Sequence, residues 1–351
     1  MTAIAIIGTG GMGNSHARRL SAIPGVKLTA CCDIVQARAE EFARKWNIPA
    51  VYSDYHELLD REELDGVCNV TPDAAHAEVA LAALRRGVHI LSEKPLATSL
   101  ADARKMAAAA AKAGMINVVN FSYRDSCGLQ AAAKAVAAGK IGQVRHVEAS
   151  YLQSWLVSKR WGDWRSSPAL TWRLSTRHGS AGVLGDLGCH IYDLTTLLAG
   201  EIEAIHCRLE TFDKGVPGNR LGPYVLDAND SFVSSVVFAN GAIGTIHSTR
   251  WATGHLNSLR ARVYGDEGAI EVDLDAGYDF YRICRGKTAV AQCAWKTVRC
   301  RPTPNNYVRF VRGIRTGQNP PNDFAAGARI QAYLHYSQQS DRLGRSVKVR
   351  L

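Results

Sequence analysis

Three short stretches hold residue types that could do chemistry. Residues 91–97 read LSEKPLA, after the apolar run Val88-His89-Ile90-Leu91 and before a helix-like stretch from Ser99. Glu93 and Lys94 at a strand end could form a solvated turn. A lysine beside a proline at the end of a parallel strand is also where an α/β protein places reacting groups. Residues 182–200 read GVLGDLGCHIYDLTTLLAG, in which Leu184, Leu187, Ile191, Leu194 and Leu198 recur at helical spacing. Asp186, His190 and Asp193 then fall at i, i+4 and i+7, on one polar face. A carboxylate one turn from an imidazole can orient it, fix its tautomer and raise its basicity, as proton abstraction from an alcohol requires. Taken alone, the pair reads as a first-turn acid favoured by the helix dipole and a satisfied core histidine. No further ligand stands nearby, so no metal site is expected.

The third stretch, AIAIIGTGGMGNSHARRL, sets Gly8, Gly10 and Gly13 in a G-x-G-x-x-G spacing that encloses Gly11 and Met12. An apolar strand precedes it and a helix follows. The next strand ends on an acid, Asp33 in LTACCDIV, about twenty residues beyond the last glycine. Gly8 allows a tight turn, Gly10 lets the backbone approach a pyrophosphate, and Gly13 lets helix and strand pack closely. The helix N-terminus faces the phosphates. Asp33 can accept hydrogen bonds from both ribose hydroxyls and would repel a 2′-phosphate. NAD is therefore expected over NADP, with Ile34 following at the adenosine side. Arg38, one helical turn further on, works the other way.

These residues need elements to hold them. The first third alternates strand-like runs of four to six apolar residues with helix-like runs of ten or more, which implies right-handed βαβ units and a parallel sheet. After Phe121 the pattern changes to one helix near Leu129–Ala138 and then period-2 segments from Val144 to Tyr264, with hairpin signals at Asn240-Gly241 and Asp266-Glu267-Gly268. The expected fold is α/β. A Rossmann-type dinucleotide-binding domain spans 1–121, and an α+β domain with an open, mostly antiparallel sheet spans 122–351, for substrate binding and oligomerisation. Helix-like stretches at Asn305–Arg315 and Phe324–Arg342 close the chain.

Composition excludes several classes. Hydrophobic residues are 46% and charged residues 21% of 351, as in ordinary globular proteins. No apolar run approaches the roughly 20 residues that span a bilayer. The N-terminus enters a strand directly, without a signal-peptide pattern, so a cytoplasmic location is expected. The nine cysteines are scattered with no C-x-x-C pair, which points to reduced, mostly buried thiols. The net charge of +10 is spread along the chain without a nucleic-acid-binding motif, so no nucleic-acid partner is expected.

The dinucleotide fingerprint, SEKPLA and GDLGCHIYD, in that order, resemble the Gfo/Idh/MocA family, named for glucose–fructose oxidoreductase and inositol dehydrogenase. VTPDAAH at 70–76 and NFSYR at 120–124 resemble further segments of that family. The resemblance implies that Lys94, with Pro95 after a cis bond, binds the reacting hydroxyl and the cofactor ribose. It implies that His190 takes the hydroxyl proton, that Asp186 orients the substrate or tunes the pair, and that Asp193 supports them. Thr71, Pro72, His76 and Glu93 would help hold the cofactor, and Arg124 the substrate. Four of the seven Trp (Trp155, Trp161, Trp164 and Trp172) lie between 155 and 172, interleaved with Arg165 and Arg173 and flanked by Gln153 and His178. Gln153, Trp155, Arg165 and Trp172 are expected at the substrate, and Trp164 and Arg165 at the cofactor. The family reading is an NAD-dependent dehydrogenase of a pyranose, anhydrosugar or cyclic polyol, in which Lys94 and His190 share one substrate oxygen. The alternative is a non-catalytic NAD-sensing regulator of the same fold. An open sheet face also suggests a homodimer or homotetramer.

Overall fold

Strand β1 (Thr2–Ile7) is a continuous apolar run, and Ile4, Ala5 and Ile6 are wholly buried, as a parallel strand covered on both faces must be. It pairs in parallel with β2 (Val26–Cys32) and with β4 (Gly66–Asn69). With β3 (Ala50–Tyr52), β5 (His89–Ser92) and β6 (Asn117–Val119) it forms a six-stranded sheet in the order β3-β2-β1-β4-β5-β6. The strand order reverses beside β1, which opens a crevice at the carboxyl ends of the strands. The helices are α1 (Gly11–Ser21), α2 (Gln36–Trp46), α3 (Tyr55–Arg61), α4 (His76–Arg85) and α5 (Leu100–Ala113). Strand β3 and helix α3 are absent from the sequence reading, because three and seven residues carry too little periodicity.

The second sheet has nine strands in the order β16-β15-β14-β13-β7-β12-β11-β8-β17. They are β7 (Val144–Gln153), β8 (Ile202–Glu210), β11 (Ser231–Phe238), β12 (Ile243–Thr249), β13 (Asn257–Gly265), β14 (Gly268–Asp273), β15 (Phe280–Arg285), β16 (Lys296–Arg299) and β17 (Val347–Lys348). A separate ribbon pairs β9 (Arg220–Leu221) with β10 (Tyr224–Val225). Every pairing in the large sheet is antiparallel except β7 with β12. Inward and outward residues alternate along β7 and β11, so one face packs against α6 (Cys127–Ala137) and α8 (Cys189–Ala199). Helices α7 (Pro168–Thr171) and α9 (Lys287–Ala291) are single turns.

The structure, a computed structural model, describes residues 1–351 and divides them into two units, Met1–Ser122 with Pro304–Gln331, and Tyr123–Thr303 with Ala332–Leu351. Residues 304–331, expected in the second domain, therefore pack in the first. Tyr307, Phe310 and Val311 of α10 (Asn306–Thr316) enter the same core as Ile4, Ile6, Leu91 and Val118. The Val119 amide donates to the Asn322 carbonyl at 2.8 Å, and Asn322 Nδ2 donates back to Val119 at 2.9 Å, so β6 is not left as an open edge. Amphipathic spacing marks the buried face of α10 but not the surface that covers it. The last helix, α11, runs Phe324–Leu343. No helix is long and apolar enough to cross a membrane.

Candidate active site

The loop after β1 separates two uses of glycine. Gly8 has φ +97, and a Cβ there would lie 2.4 Å from the Val70 carbonyl oxygen. A Cβ on Gly13 would lie 2.4 Å from the Gly8 oxygen, so helix α1 can close on the loop only as glycine. Gly10 and Gly11 are different, since a Cβ on either would meet nothing within 4 Å. The protein's own packing does not demand them. They leave open space over the N-terminus of α1, which has no side-chain cap and no acid in its first turn. Such an end, with its free amides, fits a pyrophosphate, and Met12 beside it is exposed.

Asp33, at the end of β2, completes this cradle. Its Oδ2 accepts from the Thr9 amide at 3.0 Å and the Thr9 hydroxyl at 2.9 Å, and its Oδ1 accepts from the Val35 amide at 3.0 Å. Burial opposes its charge, but those amides, the hydroxyl and Arg38 outweigh it and hold the carboxyl below the usual range. Arg38 Nη1 lies 3.3 Å from Oδ1. Ile34 is 90% exposed beside it. A rigid, ionised acceptor next to an uncapped helix end fits the ribose and phosphates of a dinucleotide.

The Lys94–Pro95 peptide bond is cis. Beneath Lys94 lies a buried polar cluster. Glu93 Oε1 is 2.7 Å from His16 Nε2 and accepts from Asn120 Nδ2 at 2.6 Å, while Oε2 accepts from the Lys94 amide at 3.2 Å. Asn120 Nδ2 also donates to the Tyr307 hydroxyl, whose ring stands edge-on to His16. Both Glu93 oxygens are thus bonded inside the protein, and Glu93 shapes the lysine loop. His76, wholly buried, sets Nδ1 2.8 Å from the Pro95 carbonyl and Nε2 3.0 Å from the Thr71 carbonyl. It ties the Thr71-Pro72 turn to the lysine loop, and neither ring nitrogen is left for a cofactor.

Burial alone would raise the Glu93 carboxyl, yet His16, Asn120 and Lys94 bring it down to about 2. A carboxyl depressed by folding adds stability in full above its ordinary value, and that stability is lost as pH falls from about 4.5 toward about 2. Urea unfolding across that window is expected to show stability dropping steeply with acid in the wild type and less steeply in Glu93→Gln. Equal slopes would mean that Glu93 is not an ionised anchor.

In the second unit Leu184–Gly188 forms a π-helical turn that leads into α8, so the polar residues do not share one regular α-helix. Such turns recur at functional sites. A Cβ on Gly185 would lie 2.2 Å from Ala181 Cβ, which explains a glycine in the wide turn. Asp186 sits in this turn with 26% of its side chain exposed. The Arg250 guanidinium donates from Nη2 to Asp186 Oδ2 at 3.0 Å, and Arg173 Nη1 stands 3.7 Å from the same oxygen. His190 is framed edge-on by Tyr123, with centroids 4.8 Å apart, and by Tyr151 at 6.2 Å. Tyr123 donates to Tyr151 at 2.5 Å, Tyr151 to Asn257 Oδ1 at 2.8 Å, and Asn257 Nδ2 back to Tyr123 at 3.0 Å, a closed ring of hydrogen bonds. Burial, with Tyr123 adding to it, pushes the Tyr151 hydroxyl well up, so it remains a neutral donor.

Several residues expected at the substrate are engaged elsewhere. Arg124 donates Nε and Nη2 to Asp193 in a buried bidentate pair, with Nη2 2.6 Å from Oδ1. Gln153 donates to Asn257 at 2.8 Å and accepts from Trp155 Nε1 at 3.0 Å. Trp155 and Trp164 are buried in one cluster with Leu156, Leu174 and Leu226, and Trp164 Nε1 donates to the Leu156 carbonyl. Arg165 and Arg173 stack on Trp164 and Trp172, with guanidinium carbons 4.3 and 4.7 Å from the ring centroids. Trp172 is half-buried and Trp161 exposed. Sequence reasoning missed Arg250. The available signal was its phase, since Gly244, Ile246, Ser248 and Arg250 are the buried alternates of β12 and its continuation. It also missed the wholly buried Lys214–Asp230 ion pair at 2.7 Å, to which sequence offered no pointer.

Residues 2–121 match the family model described as the GFO/IDH/MocA oxidoreductase family with an NAD-binding Rossmann fold, and residues 129–271 match the GFO/IDH/MocA C-terminal domain. A levoglucosan dehydrogenase of Pseudarthrobacter phenanthrenivorans is 30% identical over 288 residues, covering 76% of this chain and 72% of that one. A scyllo-inositol 2-dehydrogenase (NAD(+)) of Bacillus subtilis is 28% identical over 273 residues, with coverages of 76% and 72%. The solved structure of a levoglucosan dehydrogenase in complex with NADH and levoglucosan superposes with a TM-score of 0.88 at 25% identity, over 99% of both chains.

Proposed function

The chain belongs to the Gfo/Idh/MocA family of NAD-binding oxidoreductases, and on that premise we propose that it oxidises a secondary hydroxyl of a pyranose, an anhydrosugar or a cyclic polyol. The observation that carries this reading is the second-unit arrangement, an imidazole held by two aromatic rings and, one turn before it, a carboxylate set against two guanidinium groups. The α1 N-terminus, Gly10, Gly11 and Asp33 would hold NAD, which when bound accepts the hydride from the carbinol carbon. Lys94 holds the hydroxyl oxygen and stabilises the negative charge that develops there. His190 takes the hydroxyl proton. Asp186 accepts a hydrogen bond from the substrate and keeps it turned toward the imidazole. The dehydrogenase names of the relatives support the same substrate class.

The test is the appearance of reduced nicotinamide absorbance when the protein and NAD meet a panel of inositols, pyranoses and anhydrosugars. Turnover of at least one secondary alcohol is expected. NAD binding without turnover on any member, and without reduction of the matching ketones by NADH, would favour the sensor alternative.

A further inference from the structure

Arg250 follows directly on β12 and is 0% exposed, the largest wholly buried side chain of the protein. Burying a guanidinium is costly in lost hydration. Its bonds repay that only in part. Nη1 donates to the Arg173 carbonyl at 3.0 Å and Nη2 to Asp186 Oδ2 at 3.0 Å, whereas the buried Nε has no partner. A buried donor left without a partner is itself destabilising. The guanidinium lies over the ring of Trp155, 4.8 Å from its centroid, and that indole is fixed in turn through Gln153 to Asn257 and the tyrosine ring around His190. One planar cation thus ties the turn at Arg173, the π turn of Asp186 and the aromatic support of His190. A hydrophobic side chain would fill the same volume without the desolvation cost.

We infer that Arg250 is a positioning residue of the reacting site, which holds the Asp186 carboxylate in one orientation and in its charged form, so that Asp186 only accepts hydrogen bonds and His190 alone carries the proton. This rests on the assignment of Asp186 to the substrate made above. Among the groups of this unit that face Asp186 or Arg250 are Arg173, 3.7 Å from the carboxylate, the neutral hydroxyl of Tyr151, the thiol of Cys189, whose Sγ donates to the Asp186 carbonyl, and the Asp230 carboxylate. Arg173 has 37% of its side chain exposed, so solvent screens it, and Arg250 is the stronger influence.

The experiment follows the Asp186 carboxyl directly, by NMR of the full-length protein with isotope-labelled aspartate carboxyl carbons, Asp186→Asn assigning the signal. The wild-type signal is expected to stay in the charged form below the ordinary midpoint of about 3.9. Arg250→Met is expected to move its midpoint upward by roughly 1–3 pH units, and Arg250→Lys, which keeps the charge but not the fork, to recover part of that change. Arg250→Gln, which keeps donors without the charge, provides the same comparison should the methionine variant fail to fold. An unmoved midpoint in the uncharged variants overturns the proposal, even if thermal stability falls. Turnover of Asp186→Asn is read separately. Normal turnover there removes Asp186 from the reaction, and the titration still reports whether Arg250 governs it.

Discussion

Replacing Lys94 by alanine is expected to lower kcat by roughly 10²–10⁴-fold, the usual worth of one positioned proton-transfer or charge-stabilising group. The substitution removes the ammonium, and with it one of the influences that keep Glu93 charged, but it leaves the backbone anchors of the loop in place. The Lys94 amide remains anchored to Glu93 Oε2, and the Pro95 carbonyl remains on His76. NAD affinity, measured by fluorescence titration, should therefore change far less than turnover. Arginine is not expected to rescue, since a larger, planar guanidinium does not place its charge and donors where the compact ammonium does. His190→Ala is expected to cost a similar factor, because nothing else in its aromatic frame takes a proton at neutral pH. The Tyr151 hydroxyl is pushed well above its ordinary value. If both groups serve one proton and one oxygen, the double variant should lose much less than the product of the single losses. Near-normal turnover in either single variant would remove that residue from the mechanism.

Asp33→Ser is expected to change the ratio of kcat/KM for NADP over NAD by roughly 10²-fold or more, since apposed like charges cost several kcal/mol. Two effects act together. The substitution removes the anion that repels a 2′-phosphate and accepts the ribose hydroxyls. It also releases Arg38, whose Nη1 now stands 3.3 Å from Asp33 Oδ1, to meet the phosphate. The Thr9 and Val35 amides lose a charged acceptor, so a modest loss of thermal stability should accompany the switch. Arg38→Ala on the serine background should reverse part of the gain, because it removes the guanidinium released to meet the phosphate. A wild-type enzyme that already prefers NADP would overturn this role for Asp33.

The proposed cofactor cradle is legible in the sequence because its determinants are local. Gly8, Gly10 and Gly13 lie within one turn and one helix start, and Asp33 follows at the end of the next strand, so spacing alone sets their relation. The parallel sheet is legible for a similar reason, since strands covered on both faces must be short continuous apolar runs. Asp186 and His190 were visible as chemically suited types, but not as a site. The π turn that offsets them, and the aromatic ring around His190, depend on contacts that no periodicity encodes. Tertiary structure alone decided that residues 304–331 close the first unit, where Asn322 bonds Val119 from 203 positions away. It alone decided that Arg250, 64 positions from Asp186, is spent on that carboxylate, and that Trp155 and Gln153 are its support. Sequence pattern reports which face of an element is hidden from water, because burial acts on one residue at a time. It does not report what hides that face, because a charge buried against its partner is a property of two distant positions, set only when the chain brings them within a few ångströms.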